Sequence, residues 1–176
     1  TRRKQMEFRK AIYRDIHSIM DIIREAQIYF KEQGIDQWQN NYPNIETIQR
    51  DIDNQNGYVL VEDHKVVGTV AVVFDGDTNY EFIYQGDWLS KQKYVTIHRI
   101  AIASRYKGKR FSSIILKEIE KMSLNKGIYS IKVDTHKENQ SMRKFLQKNG
   151  FQYCGIVYLE DHSERVAYEK IVQKRF

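Results

Sequence analysis

Four cations, Arg105, Lys107, Lys109 and Arg110, surround Gly108 in the segment Arg105-Tyr106-Lys107-Gly108-Lys109-Arg110. That grouping suits the capture of an anion. Glycine lets backbone approach a ligand closely, and the basic side chains add charge. The flanking residues show what would position this turn. Upstream lies Val95-Thr96-Ile97 followed by Ile100 and Ile102, a β-branched run of central-strand type that breaks at Ala103-Ser104. Downstream, Ile114, Ile115, Ile119 and Met122 recur close to the spacing of one helix face. A strand feeding a helix through such a turn offers unpaired N–H groups and the positive end of the helix dipole. Phosphate is the usual guest of that arrangement. The stretch 94–127 therefore reads as the grip on a phosphorylated cofactor, with the rest of the chain building a pocket around it.

The chain that carries this turn has 176 residues, enough to bury a real core, and reads as one domain over 6–176. Met6-Glu7-Phe8 looks like a natural start, which leaves 1–5 as an extension. Hydrophobic residues at 41% and charged residues at 30% exclude a disordered or membrane-embedded composition. No apolar run approaches bilayer length and no signal-peptide pattern opens the chain. The only cysteine, Cys154, excludes an intrachain disulfide and a thiolate-rich zinc site, so no metal is expected and the expected setting is cytoplasmic. A net charge of +6 raises the question of nucleic acid, but there is no long basic helix and no aromatic-basic RNA signature, so no specific nucleic-acid partner is expected.

In chain order, 8–13 reads as a short strand. Asp15 would cap a helix running to about Gln33, with Ile16, Ile19, Ile22, Ile23, Ala26 and Tyr29 near one face and Gly34 as its stop. The loop 35–43 holds Trp38, Tyr42 and the single proline, Pro43, and serves either as a substrate wall or as a connection with Trp38 plugging the core. Asn44 caps a second helix over 45–53. The segments 57–62 and 65–74 form a hairpin turned at Asp63-His64. The segment 80–84 is a short strand or a substrate loop, with Trp88 just beyond. After the central strand and helix, 128–134 is a strand, 139–149 a helix closed by Gly150, and 151–159 with 165–172 an antiparallel pair. The order β-α-α-β-β-β-α-β-α-β-β implies a mixed α/β sheet packed by helices.

This pattern resembles the GCN5-related N-acetyltransferase (GNAT) superfamily over nearly the whole chain. Arg105-x-x-Gly108-x-Arg110, after the apolar strand end Ile100-Ala101-Ile102, is similar to the family's coenzyme signature. Asn139-x-x-Met142-x-x-Phe145-Leu146-x-Lys148-x-Gly150-Phe151 is similar to its Asn-helix-Gly-Phe segment. The resemblance implies a mixed, mostly antiparallel twisted sheet of about six to seven strands with a splayed central pair, flanked by about four helices. It implies acetyl-CoA as co-substrate. Ile100, Ala101 and Ile102 would bond the pantetheine arm like an added strand. Lys107, Gly108, Lys109, Arg110, Phe111 and Ser112 would cradle the pyrophosphate. Asn139 would hydrogen-bond the pantetheine arm, and the helix it starts, with Met142, would pack beside the acetyl end. Two positions depart from the family. Arg110 replaces a second small residue, and Leu146 stands where many members carry a tyrosine that protonates the departing thiolate.

The implied activity is direct transfer of an acetyl group to a primary amine of a small molecule, peptide or protein. The alternative is a non-catalytic coenzyme-binding module of the same fold; under either reading the chain is expected to be a monomer or homodimer. Acetyl transfer needs a neutral amine, and neutralising a lysine-like amine near pH 7.4 costs roughly 4 kcal/mol. A base would offset part of this. His98, on the central strand two residues before the coenzyme segment, is the first candidate; by alternation it shares a face with Thr96 and Ile100. Glu81, in an aromatic setting that would desolvate a carboxylate, is the second. Arg99 would point to the other face and pair with a helix. For the acid, Tyr158 and Tyr153 on the late strand come first, with Tyr84 behind them. Asp134-Thr135-His136 would orient substrate or cap a loop. Cys154 reads as core, not as an acetyl carrier.

Overall fold

The computed structural model describes residues 5–108 and 110–173. Seven strands form one sheet: β1 (Met6–Lys10), β2 (Gly57–Glu62), β3 (Lys65–Val73), β4 (Val95–Ile102), β5 (Ser130–Thr135), β6 (Gln152–Tyr158) and β7 (Glu164–Ile171). Their spatial order is β1-β2-β3-β4-β5-β7-β6. The α-helices are α1 (Ile16–Glu32), α2 (Ile45–Asp53), α3 (Phe111–Asn125) and α4 (Gln140–Lys148). The chain divides into two compact units, Thr1–Val72 with His98–Glu118 and Val73–Ile97 with Ile119–Phe176. No described helix is long and apolar enough to cross a membrane.

In the first unit β1, β2 and β3 form an antiparallel meander, with Phe8 opposite Leu60 and Tyr58 opposite Val70. The α1 face foreseen from its isoleucines buries Ile19 and Ile23 against Ala11, Ile48, Val59 and Val61. Each such aliphatic side chain contributes about 1.5–3 kcal/mol by leaving water. Asn44 caps α2: its side chain accepts from the Thr47 N–H at 3.0 Å. Asp15 does not cap α1 in this way. Its carboxylate, in a residue only 6% exposed, takes Arg9 Nη1 and Nη2 at 2.8 and 2.9 Å and the Ile12 N–H at 2.8 Å. Burial pushes the Asp15 pKa up; the Arg9 and Ile12 hydrogen bonds outweigh it, and the group ends below the usual aspartate value. Trp38 is half-buried and edge-on to Phe30 at 5.6 Å, so it packs against the core.

In the second unit β5 pairs antiparallel with β7 from Ser130↔Ile171 to Thr135↔Val166, and β7 pairs with β6. The segment 80–84, read as a short strand or a substrate loop, follows a 3-10 turn (Thr78–Tyr80) and is a loop with a single bridge, Tyr84↔Ile156. Close packing explains that bridge. A Cβ on Gly86 would meet the Cys154 carbonyl oxygen at 1.9 Å, and one on Gly155 would meet the Tyr84 carbonyl oxygen at 2.6 Å. Only two glycines let the segment lie against the bulged stretch of β6.

β4 meets β5 in parallel at Val95↔Ile131 and Thr96↔Lys132. Farther along β4, Arg99 takes φ +53°, a left-handed residue inside a strand. Side-chain alternation requires extended backbone, so the expectation that His98 and Ile100 share a face does not carry through this kink.

Candidate active site

The basic turn belongs to the first unit. β4 ends when the Ala103 N–H reaches the Val67 carbonyl at 2.9 Å, and a 3-10 turn (Ser104–Tyr106) follows. Ile100, Ala101 and Ile102 are all half-buried. A close approach sets their position: a Cβ on Gly68 of β3 would meet Ile102 Cδ1 at 2.7 Å and Ile115 Cδ1 at 3.0 Å. Gly68 thus lets the end of β4 and the first turns of α3 settle on β3.

Gly108 has φ +84°, and a Cβ built on it would meet nothing within 4 Å. Arg110 has φ +63°. Gly108 and Arg110 are thus both left-handed just before α3, and backbone N–H groups in left-handed turns can line an anion-binding concavity. Arg110 is exposed, so the residue that departs from the family pattern points its charge outward. Among the described residues the first helical bond runs from the Ile114 N–H to the Arg110 carbonyl at 3.2 Å, which makes the Phe111 and Ser112 N–H groups donors of the helix terminus. Lys107 differs from expectation in one respect. Its N–H closes the 3-10 turn onto the Ser104 carbonyl at 3.2 Å, so its backbone is committed locally. Its ammonium lies 4.1 Å above the Tyr29 ring of α1. Lys109 lies outside the described residues. Open space over a left-handed glycine beside orphan helix donors fits a pyrophosphate.

Arg99 is the best-anchored side chain on this part of β4. Its Nη2 and Nε bind the two Asp51 oxygens of α2, the latter at 3.2 Å, and its Nη1 donates to the Tyr42 hydroxyl at 3.0 Å. Burial lowers the guanidinium pKa, but Tyr42 and Asp51 outweigh it and hold the cation above its ordinary value. The helix ion pair foreseen for Arg99 is present, and Tyr42 of the 35–43 loop is drawn onto it. His98, next to this anchor, is half-buried.

The remaining candidates lie in the second unit. Asn139, 5% exposed, is the N-cap of α4, and its Oδ1 accepts from the Met142 N–H at 3.2 Å. Met142 is half-buried. Leu146 is wholly buried, so no proton donor stands at that position. Tyr158 is 40% exposed and lies edge-on to Tyr84 with ring centres 5.4 Å apart, which brings two of the tyrosine candidates together. Tyr153 is instead edge-on to Tyr168 at 5.8 Å. Glu81 is exposed at the C-terminal end of its 3-10 turn, outside the desolvating aromatic setting expected for it. Cys154 is 5% exposed, and burial pushes its thiol up to about 11, which leaves almost no thiolate to act as a nucleophile near neutrality.

Two polar arrangements in this unit escaped the sequence reading. Glu169 of β7 is fully buried and accepts from the Leu89 N–H at 2.8 Å, the Ser90 hydroxyl at 2.6 Å and the Ser130 hydroxyl at 2.7 Å. Opposite it in the β5–β7 ladder, Lys132 is 4% exposed, with its Nζ 4.2 Å from both the Trp88 and the Tyr94 ring centres. Burial lowers the Lys132 pKa. No local pattern announces either residue, because Ile131-Lys132-Val133 reads as a strand with one solvent-facing position. The only outlying sign was the aromatic pair Trp88 and Tyr94. Among the described residues no group of three or more His, Cys, Asp or Glu side chains is placed to hold a metal.

Residues 16–151 match the profile described as the Acetyltransferase (GNAT) family. The chain belongs to that family. A GNAT-family acetyltransferase of known structure from Streptococcus agalactiae 2603 is 36% identical, with 96% of each chain covered and a TM-score of 0.85. A GNAT-family acetyltransferase from Listeria monocytogenes 4b F2365 shares the fold at 18% identity, with 95% of each chain covered and a TM-score of 0.73. The PaiA N-acetyltransferase of Thermoplasma acidophilum, solved in complex with coenzyme A, shares the fold at 19% identity, with 95% and 99% covered and a TM-score of 0.69. Comparison with curated protein sequences gives no match. This GNAT protein is therefore an acetyltransferase, an acyltransferase that moves groups other than aminoacyl groups.

Proposed function

We propose that the protein transfers the acetyl group of acetyl-CoA directly to a primary amine of a small molecule, peptide or protein. The observation that carries this reading is the turn at Gly108 and Arg110, left-handed at both residues and open above the glycine, leading into the orphan donors of α3. When bound, acetyl-CoA supplies an activated acyl group. The pyrophosphate would be held by the N–H groups of Gly108, Arg110, Phe111 and Ser112, with Arg110 and Lys107 contributing charge. The Ile100, Ala101 and Ile102 backbone would align the pantetheine arm. The reaction forms a C–N bond and breaks the thioester C–S bond. The amine loses a proton and the sulfur leaves as a thiol.

His98 is the proposed acceptor of the amine proton, with Glu81 as the alternative base. Since Leu146 carries no hydroxyl, the proton for the leaving sulfur would come from a tyrosine elsewhere, and Tyr158 beside Tyr84 is the one assigned. Thiol release from acetyl-CoA in the presence of an amine panel tests the reading. Release that depends on amine supports it, and absence of amine-dependent release from a protein that binds acetyl-CoA overturns it. In His98→Ala, kcat should fall much more than coenzyme affinity changes. An unchanged rate removes His98 from the mechanism.

A further inference from the structure

The basic turn touches α1 at two places, both inside the first unit. Glu25 and Tyr29 stand one helical turn apart on α1. Glu25 Oε1 accepts from the Ser104 N–H at 3.3 Å. Tyr29 lies under Lys107, with Nζ 4.1 Å from the ring centre. Neither residue belongs to the buried set of α1, which is Ile19, Met20, Ile22, Ile23 and Phe30. Glu25 is exposed and Tyr29 half-buried, so core packing does not account for their contacts with the turn. Across the turn, Tyr106 and Phe111 bring their ring centres to 5.6 Å, which ties its two ends together.

The places of these contacts decide what they do. Ser104 opens the 3-10 turn that delivers the chain to Gly108, and the Lys107 N–H closes it on the Ser104 carbonyl at 3.2 Å. Glu25 therefore holds the first residue of that turn and Tyr29 the last. A ring takes up one side of an ammonium, and the other N–H donors of Lys107, an exposed residue, remain for an anion. A lysine loses rotamer freedom when it meets a phosphate. One already seated on a ring has lost part of that freedom beforehand, so binding costs it less.

We propose that Glu25 and Tyr29 are positioning residues of the coenzyme site, holding the 104–107 turn and the Lys107 ammonium ready for the phosphates of acetyl-CoA. This rests on the coenzyme-binding reading above and adds to it two residues from a helix outside the coenzyme signature.

Calorimetric titration of acetyl-CoA into a double-mutant cycle on Tyr29 and Lys107 tests the proposal. Tyr29→Leu should raise Kd about two- to fivefold, the weight of one exposed cation–π contact. Tyr29→Phe keeps the ring and should bind as the wild type does. In a Lys107→Gln background, Tyr29→Leu should change Kd no further, because its effect passes through the ammonium. A merely structural tyrosine would weaken binding equally in both backgrounds. That result, or an unchanged or lower Kd in Tyr29→Leu, would overturn the assignment of Tyr29. Amide exchange in the coenzyme-free protein reads the other contact. Glu25→Ala should speed exchange at Ser104 about two- to tenfold, the scale of one hydrogen bond, and Lys107 should follow. Unchanged exchange at both amides removes Glu25. A wild type that takes up no acetyl-CoA sinks the coenzyme reading and the role of Tyr29 with it, whereas binding without coupling in the cycle sinks the positioning role alone.

Discussion

Replacing Asp51 by asparagine should unfold the protein about 8–13 °C earlier, through loss of one buried ion pair. The Arg99 and Asp51 side chains are each 15% exposed, and the guanidinium has its Nε and Nη2 committed to Asp51. The asparagine side chain would keep the volume but leave Arg99 as a largely buried cation with only neutral partners. Breaking a buried pair from one side costs about 3–5 kcal/mol, because the abandoned charge keeps its desolvation penalty. An unfolding entropy of about 2.1 cal/mol/K per residue converts that cost into the stated shift for a chain of this length. Differential scanning calorimetry reads it. The double variant Asp51→Leu with Arg99→Met, which removes both charges, should recover most of the loss. Because Arg99 is the left-handed residue next to Ile100, acetyl-CoA affinity should fall in Asp51→Asn, although Asp51 lies on α2, outside the coenzyme turn. A shift below about 2 °C, within the range of ordinary surface substitutions, would refute the reasoning. So would a double variant no more stable than Asp51→Asn.

Other consequences follow from the buried polar groups. Glu169→Ala strands the Leu89 N–H, two serine hydroxyls and the Lys132 ammonium, so it should cost about 3 kcal/mol or more and speed amide exchange at Leu89. Cys154, with its thiol at about 11 and 5% exposed, should resist iodoacetamide at pH 8 in the native protein and react once denatured. Asp15 has its folded-state pKa below the unfolded value of about 3.9, so its stabilisation is complete above that pH and is lost as pH falls through the folded value. Asp15→Asn should therefore flatten the acid limb of the stability curve below about pH 4, measured by urea unfolding across pH.

The parts of the fold written in local pattern were legible. The isoleucine spacing of α1, the Asn44 cap, the hairpin at Asp63-His64 and the strand-turn-helix at 94–127 all depend on residues close in sequence. The kink at Arg99 was not legible, since nothing in Thr96-Ile97-His98-Arg99-Ile100 marks a left-handed residue. The groups that hold its side chain, Asp51 and Tyr42, lie far away in sequence. The same holds for the 80–90 segment, which is fixed by Gly155, Glu169 and Asp134 from other strands. Lys132 and Glu169 read as solvent-facing positions because strand alternation cannot register aromatic rings and N–H groups arriving from a distant loop. At the proposed site, the strand, turn and helix around Gly108 could be read from the glycine and the apolar spacing on either side. The acid and base could not, because their choice depends on burial and on tertiary neighbours.

The central claim is that the turn at Gly108 holds acetyl-CoA, and calorimetric titration of acetyl-CoA into the wild type and Gly108→Glu tests it most directly. The substitution meets open space, so the fold should persist at a cost of about 1 kcal/mol for the left-handed backbone. A carboxylate would then stand where the pyrophosphate belongs. The account predicts saturable binding to the wild type and none to the folded variant. Equal affinity in the two proteins would contradict it.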